Sequence, residues 1–251
     1  MLTDQKIYYQ DSSIQIARNH YAKTKSDMPL HSHDFLTISL LLNGKINERT
    51  TQNQEYKASI GQVSIKPAQV VHSDSFLEDT SLLSLKIYDW EYYELDFTEW
   101  TWLSEHAFTP CFLALLQSQN KKEGIKKLKA SIFDSLQQRK QTSQIPPWLL
   151  EITNYIHQNY EKNILITELA DKVEKHPFHI GRFFKKIYGI DIKTYQQYLR
   201  IQKSLAQAVT KNNNLVEIAY QNGFSDQSHF CRTFKKITHF TPRKALYLIN
   251  V

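Results

Sequence analysis

Apolar positions change their period once along the chain. Up to about residue 90 they fall in short runs rich in Leu, Ile and Val, as at residues 36–42, 60–65 and 81–88. Turn formers separate the runs: Asn43 with Gly44, Gln52 with Asn53, Lys66 with Pro67, and Glu78 with Asp79. Short strands at this spacing predict an antiparallel sandwich or barrel. Residues 89–99 are acidic and aromatic, and from about residue 98 the period becomes helical. One helix is expected over 98–117, interrupted near Pro110, and a second over 124–138. Ile125, Leu128, Ile132, Phe133 and Leu136 form one stripe of that second helix. Such a stripe packs onto its own domain or forms a dimer seam. Residues 139–147 are polar and end in Pro146 and Pro147, which cannot continue a helix. Beyond this linker, helices are expected near 148–160, 166–173, 178–188, 192–211, 215–222 and 227–238, with a short one after Pro242.

Composition narrows the class. The chain has 251 residues, 41% hydrophobic and 22% charged, which fits one large or two ordinary globular domains. Two cysteines, Cys111 and Cys231, do not make a disulfide scaffold. Residues 1–13 lack the apolar core of a secretory signal, and the longest apolar stretches are too short to span a bilayer. A cytoplasmic protein without a membrane partner is expected. Charge is distributed unevenly. Residues 1–144 hold 16 Lys+Arg against 17 Asp+Glu, and residues 145–251 hold 15 against 8. The whole positive excess therefore lies in the second half, as in a nucleic-acid-binding unit joined to a neutral one.

That half contains a repeat. Arg182-Phe183-Phe184-Lys185-Lys186 recurs 50 residues later as Arg232-Thr233-Phe234-Lys235-Lys236, and Glu168-Leu169-Ala170 recurs 49 residues later as Glu217-Ile218-Ala219. Each copy reads as a short helix, a turn and a second helix: the form of a helix-turn-helix, whose second helix enters the major groove. Phe184 and Phe234 read as core anchors, with Arg182 and Arg232 on another face. The connecting helix, at about 20 residues, is roughly 30 Å long. Successive major-groove faces lie about 34 Å apart, so one chain can address two of them.

At these residues the sequence resembles the AraC/XylS family of bacterial transcription regulators, over nearly all of 148–247. Leu169-Ala170 through Gly189, Tyr195 and Arg200 resemble the first half of that family's DNA-binding domain. Ile218-Ala219, Gly223-Phe224-Ser225-Asp226, Phe230, Arg232, Phe234-Lys235-Lys236 and Thr241-Pro242 resemble the second. Glu174 and His176 stand where the family commonly has Gly and Ser, His239 where it has a glycine, and Ala245-Leu246 where it has Tyr-Arg. The resemblance implies that Phe178, His179, Gly181 and Arg182 face DNA from the first recognition helix. Gln227, Ser228, His229, Cys231 and Arg232 do so from the second. Arginine suits guanine or phosphate, Gln227 suits adenine, and Phe178 suits a thymine methyl group.

Upstream, His31-Ser32-His33, Gly61, Pro67 and His72 resemble a cupin, the small β-barrel that many such regulators use as a sensor. The glutamate of a metal-binding cupin falls near Thr37. His31, His33 and His72 are therefore read as effector-pocket residues rather than a metal site, although three imidazoles suffice for a divalent ion. His20, His106 and His157 belong to no constellation.

The expectation is an α+β chain of two domains. Residues 1–140 form a cupin-like β-barrel with following helices that can dimerise, 141–147 a linker, and 148–251 an all-α domain with two helix-turn-helix units. Its partners are double-stranded promoter DNA, a small-molecule effector, RNA polymerase and a second copy. No cofactor, metal or catalytic residue is expected, and the resemblance favours an activator. The alternatives are a metal-dependent cupin enzyme with an attached basic domain, and an architectural DNA-binding protein.

Overall fold

The computed structural model describes residues 2–23, 28–51, 55–95, 97, 100–103, 108–141, 145–210 and 214–250. At 59, 138–141 and 210 it describes the backbone alone. The expected turn at Gln52 and Asn53, the start of the expected helix at 98, His106 and residues 142–144 of the expected linker lie outside these. The architecture is mixed α/β, with a sheet-rich N-terminal region and a helical C-terminal region. It divides into two compact units: Met1–Phe133 with Arg243–Val251, and Asp134–Pro242. Among the described residues no helix is long and apolar enough to cross a membrane.

The first unit holds β1 (Leu2–Gln10), β2 (Ile14–Tyr21), β3 (Leu36–Asn43), β4 (Lys45–Thr50), β5 (Glu55–Ser59), β6 (Val63–Lys66), β7 (His72–Phe76), β8 (Thr80–Ile87) and β9 (Thr101–Leu103). They form a six-stranded sheet in the order β1-β2-β8-β3-β6-β9 and a three-stranded sheet in the order β5-β4-β7. All pairings are antiparallel. Gly44, at φ +90, makes the β3–β4 turn that Asn43 and Gly44 predict.

One face of the larger sheet is aliphatic. Ile14, Ile16, Leu36, Ile38, Leu40, Val63, Ile65, Leu83, Leu85 and Ile87 are all buried. Helix α1 (Phe108–Gln117) packs on β3, and α2 (Lys121–Gln141) follows it. Ile125, Leu128 and Ile132 are at most 1% exposed in the chain, so these three side chains are unavailable as a dimer seam. Phe133 of the same stripe is exposed and stacks on Phe97.

The helix expected over 98–117 needs correcting. Thr101–Leu103 is strand β9, paired with β6 through Val63↔Leu103 and Ile65↔Thr101. A β-branched residue followed by Trp suits a strand, and Trp102 is held there because its Nε1 donates to Glu48 Oε2 at 2.6 Å. The helix starts at Phe108, and Pro110 sits in its first turn, where a missing N–H leaves no intrahelical bond unmade.

The remaining helices are α3 (Pro147–Gln158), α4 (Ile166–Lys172), α5 (Pro177–Tyr188), α6 (Ile192–Thr210), α7 (Leu215–Gln221), α8 (Gln227–Thr238) and α9 (Pro242–Asn250). Leu149, Ile152, Ile156, Leu169, Ile180, Phe184, Tyr195 and Leu199 make one core of the helical unit. In the first unit α9 ties to the sheet: Lys6 Nζ donates to Asn250 O, Tyr8 Oη to Ile249 O, and Arg18 to Asn250 Oδ1.

Candidate functional site

Two places gather the chemistry, one in each unit. In the helical unit, α4–α5 and α7–α8 are the two copies of the repeat, and their turns share one hydrogen bond. Lys175 N donates to Ala170 O at 3.1 Å, and Phe224 N to Ala219 O at 3.0 Å. Ala170 and Ala219 are buried, which lets the second helix of each pair close on the first. Phe184 and Phe234, at most 1% exposed, anchor α5 and α8 as the repeat predicts.

The substituted turn positions keep the geometry. Glu174 is left-handed at φ +52, where the family commonly has glycine. His176 caps α5, its Nδ1 accepting from Phe178 N at 3.2 Å, and so does the work of a serine cap. His239 ends α8 at φ +64, with its N–H on Lys235 O. Asp226 caps α8 by accepting from His229 N at 2.7 Å; that bond, and next the Ser225 hydroxyl, hold its carboxyl below the usual range.

The anchored helices turn the residues named from sequence outward to different degrees. Phe178, His179 and Arg182 on α5, and Ser228 and Arg232 on α8, are exposed. Gly181, Gln227, His229 and Cys231 are half-buried. Phe178 is 70% exposed. His179 rests against Trp148 and Phe183, and His229 against Phe224, so both rings are partly engaged in packing.

Sequence reading missed the clamp between the two pairs. Arg200 on α6 donates to Tyr160 O (2.7 Å), Lys162 O (2.8 Å) and Glu161 O (3.2 Å) before α4, and to Gly223 O (2.5 Å) in the α7–α8 turn. Gln196 adds bonds to Tyr160 O and Lys162 O.

In the first unit, a cavity of about 150 Å³ lies between the two sheets. His31 and His33 line it, and His72, 1% exposed, packs beside them. One ligand nitrogen from each of the three lies within 4.8 Å of the others. Nδ1 of His31 and of His72 is hydrogen-bonded to a backbone carbonyl, Pro29 O and Val70 O, so Nδ1 carries the proton and Nε2 the lone pair. His72 Nε2 is buried without a hydrogen-bond partner. Burial pushes the His72 pKa down to about 4 and lowers that of His33. Neutral imidazoles in this arrangement are able to hold a divalent cation.

The cavity also holds residues that the sequence did not single out. Lys66 Nζ lies 2.6 Å from Glu48 Oε1 and 3.3 Å from Asp74 Oδ1, all three nearly buried. Burial pushes Glu48 up to about 7 against the pull of Lys66. Burial also works against the Lys66 charge, but the two carboxylates outweigh it and raise its pKa. Lys86 faces the same cavity, with its ammonium 5.1 Å from the Phe35 ring centre.

Residues 169–246 match a family model described as a helix-turn-helix domain. With its exposed, basic second helices, the helical region belongs to the DNA-binding class. Its helix pairs resemble those of the AraC/XylS regulators. The chain is 33% identical over 97 residues to the bifunctional transcriptional activator/DNA repair enzyme AdaA of Bacillus subtilis, a match covering 39% of this chain and 46% of that protein. It is 29% identical over 94 residues to an uncharacterized HTH-type transcriptional regulator of Staphylococcus aureus, covering 38% and 13%. The matches thus span less than half the length of these curated relatives. Among solved structures, ToxT from Vibrio cholerae aligns over 96% of this chain and 100% of its own at 13% identity, with a TM-score of 0.43.

Proposed function

We infer that the protein is a sequence-specific transcription regulator of the bacterial cytoplasm. Its two helix pairs act as two helix-turn-helix units on promoter DNA, and its N-terminal unit, a cupin-like barrel, receives a small molecule. The shared turn bond at Ala170 and Ala219 carries the reading: two copies of one local geometry each present an exposed, basic second helix. The residues proposed to meet DNA are Phe178, His179, Gly181, Arg182, Gln227, Ser228, His229, Cys231 and Arg232. His31, His33 and His72 belong to the effector pocket. A ligand regulates by favouring one conformational population, which requires different affinities for the two states. RNA polymerase and a second copy of the chain are further partners, the copy seated elsewhere than on Leu128 and Ile132.

The test is selection of bound sequences from random duplex DNA by the full-length protein, followed by titration of the winner across salt. Affinity should fall steeply with salt as phosphate contacts release counterions. Failure to enrich any sequence, with binding present at low salt, supports an architectural protein instead. The histidine cluster favours a second reading, a metal-dependent cupin enzyme. Stoichiometric metal in the purified protein together with turnover of a small molecule would establish it.

A further inference from the structure

The inward face of a sheet packed on another is ordinarily apolar, because buried polar groups need partners. Here half of that face is polar. Lys66, Thr37 and Lys86 stand side by side on β6, β3 and β8, since Thr37 pairs with both lysines. The next inward row is Ser64, Ser39 and Ser84, in which Ser39 Oγ donates to Ser84 Oγ at 2.8 Å. All six line the cavity. The outward residues between them, Ile38, Ile65 and Leu85, are buried and apolar, so the alternation is built into the strands.

The two lysines and two carboxylates of the cavity are unevenly paired. Glu48 and Asp74 both engage Lys66. Lys86 is left with no carboxylate partner among the described residues, and burial lowers its pKa. Between the lysines, Thr37 Oγ1 is buried without a hydrogen-bond partner. A lone ammonium and an unpartnered hydroxyl beside a row of serines form a subsite that lacks one anionic oxygen-bearing group.

We propose that this cavity binds a small hydroxylated monocarboxylate, its acid group on Lys86 and Thr37 and its hydroxyls on the serine row. A single negative charge matches the single ammonium that has no carboxylate partner among the described residues. The cavity of about 150 Å³ has room for a short acid. The proposal rests on the reading of the N-terminal unit as a signal receiver and names the chemistry of the signal.

The experiment uses full-length protein, with glycerate and glycolate as probes and glycerol and ethylene glycol as neutral counterparts. Calorimetric titration and melting are measured for the native chain and for Lys86→Met. The acids at about 10 mM should raise the melting temperature by about 2 °C or more, as a ligand that binds only the folded state does. The neutral alcohols should not, and Lys86→Met should weaken acid binding at least about tenfold. Should Lys86→Met fail to fold, Thr37→Val serves, with the same loss expected. The proposal is overturned if neither acid binds, if alcohols and acids bind equally, or if the variant keeps the native response. DNA binding is measured on the same sample without acid. Absent acid binding with DNA binding intact removes this inference alone, and acid binding without DNA binding removes the regulatory reading alone.

Discussion

The backbone at Gly223 touches the backbone at Glu161. A Cβ built on Gly223 would lie 2.0 Å from the Glu161 carbonyl oxygen, and the residue is left-handed at φ +77. Gly189 shares that conformation, at φ +71, but has nothing within 4 Å of its Cβ position. The two glycines therefore separate conformational strain from steric exclusion.

Gly189→Ala should cost about 1 kcal/mol, the left-handed penalty alone. Gly223→Ala should cost several kcal/mol, because overpacking adds about 1–3 kcal/mol and displaces the Arg200 contacts. Urea denaturation of the two variants checks this, and equal losses would show that the Glu161 contact yields freely.

Two non-glycine residues occupy left-handed positions where the family commonly has glycine. His239→Gly should therefore stabilise the protein by roughly 0.5–1 kcal/mol, and Glu174→Gly should act in the same direction. Denaturant midpoints at constant slope provide the measurement. A loss of stability in His239→Gly would mean that the imidazole makes a contact outweighing its backbone strain.

On α8, exposure and burial assign different roles to neighbouring residues. Arg232→Ala should relax preference at one base pair, with about 1–3 kcal/mol of discrimination lost. Lys236→Ala should weaken all sequences alike and shallow the salt slope by about one phosphate. Phe234→Ala should cost about 3–5 kcal/mol of folding free energy, since the ring is 1% exposed. Binding to single-base variants of a selected site, with melting recorded alongside, distinguishes the three. A uniform loss in Arg232→Ala makes that residue a phosphate clamp.

The Asp226 cap makes α8 sensitive to acid. Its folded-state pKa lies below the ordinary carboxylate value, so its stabilisation is fully present above about pH 4 and is lost as pH falls through the folded value. Asp226→Asn should melt with less pH dependence between pH 5 and 3 than the native chain. Identical acid profiles would place the titrating group elsewhere.

In the N-terminal unit, Leu128→Ala should cost about 2–5 kcal/mol, and Leu128→Asp should give no folded protein. A soluble, folded monomer from Leu128→Asp would return the stripe to the role of a seam.

The helical region was legible because each copy of its repeat carries an anchor phenylalanine, a small alanine and a turn at fixed offsets. Duplication made the pattern visible twice. The same reading picked out Arg200 as a matching position but not its role as a clamp, because its four acceptors are backbone carbonyls that leave no mark in side-chain pattern. Residues 101–103 read as helix because a three-residue edge strand is shorter than any period can show; β9 is fixed by the Trp102–Glu48 bond, a contact 54 residues distant. The histidines of the cavity were visible as a motif. Lys66, Lys86, Thr37 and the serines were not, although Thr37-Ile38-Ser39-Leu40 and Ser84-Leu85-Lys86-Ile87 alternate plainly. Alternation shows that a strand has two unlike faces, but not that the polar one is turned inward.

Arg200 also bears on how the helical region opens. One guanidinium satisfies carbonyls before the first helix pair and in the turn of the second, so freeing either pair strands acceptors belonging to the other. Amide protons in α4–α5 and α7–α8 are thereby tied to a shared opening event, and solvent deuterium should reach both at one common rate.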